Sequence, residues 1–137
     1  MSGFDFELYF PFRRAMDLRE SDPDEAIQLL TEVRENAIKK GNSEWRLRAE
    51  HWRIQTYITG KKDYKAASRH AVEATVESRQ AKYQEFQEYV CIQNDLMLVY
   101  YGIDPVGYGD DIKQAIDIAL DMTRPDMACH YCLNRDV

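Results

Sequence analysis

The chain has 137 residues, 45% of them apolar and 31% charged, with six Gly and four Pro. That is one domain by length, too apolar for a disordered chain and too poor in turn residues for a many-stranded β fold. A net charge of −6, with basic residues only in small pairs such as Arg13-Arg14, Lys39-Lys40 and Lys61-Lys62, argues against nucleic-acid binding, which needs a dense cationic field.

The N-terminal stretch "FDFELYFPFRR" alternates Phe4, Phe6, Leu8, Phe10 and Phe12 with polar or aromatic neighbours, a strand period. No second strand is predicted to pair with it, and a lone strand leaves its backbone groups unsatisfied. A helix over Phe4–Arg19 is therefore expected, with Pro11 in its first turn or at a kink and the aromatics sealing one end of the fold. Asp22 then opens a helix over Pro23–Lys40: Asp can accept from first-turn N–H groups, Pro suits the first helical position, and Glu25 completes a capping-box-like pattern. Gly41-Asn42-Ser43 closes it and caps the next, Ser43–Thr59. That third helix carries two apolar stripes, Trp45, Ala49, Trp52 and Thr56 on one side and Leu47, His51, Ile54 and Ile58 on the other, so it packs on both sides. Gly60 ends it. Helices follow over Tyr64–Ala81, Tyr83–Tyr101 (again with two stripes) and Asp111–Thr123, where Pro125 stops the chain's helical run, and a seventh begins near Met127. The expected fold class is all-α.

Three segments repeat: "DPDEAIQLLTEV" from Asp22, "DYKAASRHAVEA" from Asp63 and "DIKQAIDIALDM" from Asp111. Each Asp precedes an Ala by four (Ala26, Ala67, Ala115), then come Leu30, Ala71 and Ala119, then Val33, Ala74 and Met122. Steps of four, four and three place these on one helical stripe, and the small Ala lets another backbone approach.

Ala49, Trp52 and Thr56, then Gly60-x-x-Asp63-Tyr64 with Ala67, Ala71 and Ala74, and in the third pair Leu96, Met97 and Tyr100 with Ala115, Ala119 and Met122, resemble tetratricopeptide repeats of the longer, degenerate kind. The resemblance covers roughly residues 11–123. It implies a right-handed solenoid of antiparallel helix pairs, about three pairs plus a terminal helix, in a single domain over residues 1–137. Arg53 stands where the family has a small residue, a two-residue insertion follows Gly60, and both repeats exceed the usual length of about 34 residues.

The family's common property is a concave groove that receives peptides or partner proteins. Carried over by spacing, its partner-binding positions are Leu47, Glu50, Ile54 and Tyr57, then Asn94, Leu98 and Tyr101. Glu50 and Ile54 occupy the places where relatives that clamp a terminal carboxylate need Lys and Asn, so a groove of Leu, Ile and Tyr is expected to take an apolar or helical segment. The alternative is that these side chains pack within the fold.

Cys129 and Cys132 flank His130, yet a structural zinc needs four ligands, and Cys91, His51 and His70 sit in other helices. A redox pair would need a strand-to-helix junction. Asp104, Asp110 and Asp111 lack the spacing and terminal Glu of a calcium loop. The expectation is a non-catalytic protein- or peptide-binding scaffold, with no cofactor and no metal. The alternative is a regulatory sensor module that binds a small ligand or metal and switches a partner. Three cysteines without framework spacing, no apolar run near eighteen residues and no signal peptide predict a cytoplasmic protein with neither nucleic-acid nor membrane partners. The seventh helix either caps the stack or makes this the N-terminal part of a longer solenoid; the second reading implies a homo-oligomer formed through the C-terminal helix.

Overall fold

A computed structural model describes residues 5–78 and 87–122. Six helices occupy them: α1 Phe6–Leu18, α2 Pro23–Lys40, α3 Ser43–Thr59, α4 Tyr64–Ser78, α5 Gln87–Ile103 and α6 Gly109–Met122. There is no strand among the described residues, and the class is all-α. The seventh helix expected near Met127, with Cys129, His130 and Cys132, lies outside them.

Capping side chains set the boundaries. Asp5 accepts from the Leu8 amide at 3.2 Å and starts α1; Asp22 accepts from the Glu25 amide and starts α2; Asn42 accepts from the Trp45 amide and starts α3; Asp63 accepts from the Ala66 amide at 3.0 Å ahead of α4. Each satisfies a first-turn donor that has no carbonyl within its own helix. At the far end of α2, Gly41 takes φ +67°, and the Gly41 and Asn42 amides donate to the Ile38 and Ala37 carbonyls. This is the left-handed closure that glycine makes without strain. Lys40, in the last turn, reaches back to Asp5 at 3.0 Å and Glu7 at 2.8 Å and ties the end of α2 to the start of α1.

Three expectations change. Pro11 is neither in the first turn of α1 nor at a break; it is the helix's sixth residue, so the Glu7 carbonyl forgoes its intrahelical donor. The α1 aromatics also divide. Phe12 is buried edge-on against Trp45 with ring centroids 5.2 Å apart, whereas Phe6 and Phe10 stack on each other with more than half of their surface in solvent. In the third repeat, Asp111 is not the leading cap. The Ile112 amide already donates to the Tyr108 carbonyl, and α6 opens at Gly109 with Asp110 and Asp111 inside its first turn, where they complement the helix dipole. Asp104 takes the turn instead, accepting from the Gly107 amide at 3.0 Å.

The core forms on both sides of α3. On one side Leu8, Phe12 and Ala15 of α1 meet Ala26, Leu30, Val33 and Ala37 of α2 and Ala49 and Trp52 of α3. On the other, Ile54 and Ile58 of α3 meet Ala67, Ala71 and Ala74 of α4 and Ile92, Leu96 and Val99 of α5. The repeated stripe is thus buried in α2 and in α4, and both expected stripes of α3 are in use. Burying each of these larger side chains favours the fold by about 1.5–3 kcal/mol before the entropic cost of ordering the chain.

Two glycines permit close approaches. A Cβ on Gly60 would lie 2.8 Å from the Arg19 carbonyl oxygen and 2.9 Å from the Pro23 Cβ, so the end of α3 fits against the α1–α2 turn only as glycine. On α5, a Cβ on Gly102 would collide with the Tyr64 ring at the start of α4.

Candidate functional site

A cleft of about 170 Å³ opens between α2, α3 and α4. Arg34 lines it from α2, Arg46, Leu47 and Glu50 from α3, and Glu73, Ala74 and Glu77 from α4. The helix period produces the set: residues 46, 47 and 50 share a face of α3, and 73, 74 and 77 share one of α4. Glu50 is only 5% exposed. It is held by Arg34 from across the α2–α3 seam and by Arg53 at 3.1 Å from the next turn of its own helix. Arg53 also reaches Thr31 of α2 at 3.5 Å. At the opposite end of the cleft Arg46 pairs with Glu77 at 3.1 Å.

Three guanidiniums crowd one another here. Burial pushes the pKa of Arg34 below the ordinary arginine value, with Arg53 and then Arg46 adding repulsion. Burial likewise lowers Arg53. Arginine remains charged under such pressure, so the cost falls on stability and on the need for counter-charge. Next to this group His70 of α4 stacks on Tyr57, with ring centroids 5.2 Å apart. Burial first, and the Arg53 charge second, push His70 down to about 4. It is therefore neutral near pH 7.

A separate polar group joins α3 to α5. The buried His51 donates from Nδ1 to Asp95 Oδ2 at 2.6 Å, and Gln55 donates from Nε2 to Asp95 Oδ1 at 2.7 Å. Both His51 and Asp95 are sealed from solvent, so the pair orients two helices and cannot reach a substrate.

The residues assigned by spacing to a recognition trough do not share one surface. Leu47 and Glu50 line the cleft, whereas Tyr57 does not and stacks on His70. Ile54 is fully buried in the second core, and Leu47, also without exposed surface, forms cleft wall beneath the charged groups. On α5, Leu98 is half-buried and Tyr101 is 66% exposed; the Asn94 side chain lies outside the description. Sequence reasoning missed Arg34, Arg46, Arg53, Glu73 and Glu77. A signal existed for Arg53: on a helix committed to two apolar stripes, a charged residue among them must be answered by another element.

Among the described residues no group of three or more His, Cys, Asp or Glu could hold a metal ion, and no helix is long and apolar enough to cross a membrane. Comparison of the chain with protein-family models, with curated proteins and with solved structures finds no match.

Proposed function

We infer that this chain is a non-catalytic scaffold of tetratricopeptide-like antiparallel helix pairs that binds a protein or peptide partner. The observation that supports this reading is an exposed apolar surface where α5 turns into α6. Tyr101 is 66% exposed and Val106 90%, with Ile103, Tyr108 and, two turns into α6, Ile116 also in solvent. Tyr108 stacks on Tyr100 at 4.6 Å, which fixes one aromatic of the set at little further entropic cost. Apolar side chains gathered at one end of a helix pair favour a partner that buries them, and Tyr101 belongs to the set that the family resemblance singles out.

The test is a quantitative pull-down from native cytosol with the wild-type chain and with Tyr101→Ala/Val106→Ser. The expected result is a partner retained by the first and depleted with the second. Equal retention of every captured protein would remove the α5–α6 surface from the proposal. The second reading, a sensor for a small ligand, is favoured by the charged cleft.

A further inference from the structure

We propose that the cleft between α2, α3 and α4 binds a small zwitterion of amino-acid size, with its carboxylate on Arg34 and its ammonium on Glu73. This goes beyond partner binding and uses a different part of the molecule, so either reading can fail alone.

The charges of the cleft balance in number, Arg34, Arg46 and Arg53 against Glu50, Glu73 and Glu77, but they are divided in space. On the α2–α3 side the single carboxylate of Glu50 is shared by Arg34 and Arg53, which Glu35 and Glu73 attract only from a greater distance, so positive charge predominates there. Arg34 spends only its Nε on Glu50. Arg53 is 7% exposed, and its Nε has no acceptor at all. Buried guanidinium donors without acceptors are costly, and a carboxylate docking in the fork of Arg34 would supply the missing negative charge. On the α4 side, the exposed Glu73 lines the same cleft, and its carboxylate acts on Arg34, Arg53 and His70 only through longer-range charge attraction. Leu47 and Ala74 form the apolar wall between the two sides.

Other ligand classes satisfy one side and offend the other. A dianion such as phosphate would face Glu50, Glu73 and Glu77; a simple amine would face Arg34 and Arg46. A molecule with both charges answers each. The volume, about 170 Å³, is close to that of an engineered cavity of ~150 Å³ that accepts benzene, so the guest is a small amino acid of comparable bulk. Leu47 with Ala74 offers contact to a short aliphatic side chain.

The experiment is a calorimetric and amide-NMR titration of the full chain with L-alanine and L-leucine. N-acetyl-L-leucine, which lacks the ammonium, and isoamylamine, which lacks the carboxylate, serve as half-charged controls. Saturable binding is expected for the free amino acids, with each control weaker by about tenfold, equivalent to ~1.4 kcal/mol. Shifts should centre on the amides of Leu47, Glu73 and Ala74. Glu73→Gln, an exposed and conservative change, should abolish the preference for L-leucine over its acetylated form while leaving the circular dichroism unchanged. Arg34→Lys, which keeps a cation beside Glu50, should weaken both. No saturable response at about 10 mM would overturn the proposal. So would equal binding of the acetylated form, tighter binding of inorganic phosphate, or a preference that survives Glu73→Gln.

Discussion

The two sides of α3 solve the same packing problem with different chemistry. Toward α1 and α2 the bulk comes from Trp52, Phe12, Leu8 and Leu30 set among four alanines, with Arg19 lying over the Trp52 ring at 4.5 Å, and the α2–α3 seam carries the Arg34 and Arg53 pairs to Glu50. Toward α4 and α5 the volume comes from three alanines and a row of aliphatics, and the seam carries the buried His51–Asp95–Gln55 group. The first side sets large aromatic rings beside guanidinium–carboxylate pairs. The second fills its buried core with aliphatics and alanines and fixes register through an imidazole, a carboxylate and an amide that only one alignment satisfies. One helix is thus held on both flanks by burial together with directional bonding, but the chemistry of the bonding differs.

That contrast is sharpest in substitutions that act on a single flank. Trp52→Ala should cost about 3–5 kcal/mol in a urea titration, the largest loss in the set, because the ring is central to the first core and carries the Arg19 contact. A loss below about 1 kcal/mol would mean that the first core repacks freely. Asp95→Ala strands the buried His51 donor and the half-buried Gln55 donor and should cost about 3 kcal/mol. The combined His51→Leu/Asp95→Leu change should recover part of that, since it removes donor and acceptor together; no recovery would show the pair contributing more than register. Gly60→Ala forces a methyl group against two backbone carbonyls, of Arg19 and Thr56, and should cost about 1–3 kcal/mol and lower the thermal midpoint.

The smallest effect is a slope. In the unfolded chain His70 takes its proton near 6.5, but in the folded chain only near 4. Unfolding thus takes up a proton between those values, and the stability held above pH ~6.5 declines as the pH falls toward ~4. His70→Gln should flatten the difference in stability between pH 7 and pH 4.5, and an unchanged slope would show that the ring titrates freely.

Much of the helical layout was legible from the chain. The boundaries of α2 and α3 follow from Asp22, Pro23, Gly41, Asn42 and Gly60 because caps and breakers act locally, within one turn. The double stripe of α3 announced burial on both sides. Legibility fails where a long-range partner decides. The strand-like alternation read at the N-terminus yields to a helix over Phe6–Leu18 because Asp5 caps it and Leu8, Phe12 and Ala15 find a core to fill. Asp111 matches Asp22 and Asp63 in the alignment, yet Asp104 takes the turn and the helix starts ahead of it. The cleft was the least visible feature, since Arg34, Glu50 and Glu73 come from three helices and their chemistry exists only once those helices meet.

The contact between Gly102 and the Tyr64 ring carries an evolutionary consequence. A ring and a missing side chain share one space, so the two positions are not free to vary independently in any descendant of this chain that keeps the α4–α5 crossing. Where position 102 acquires a side chain, the ring at position 64 must move aside or give way to a smaller residue, and paired change at these two sites would mark the crossing as inherited.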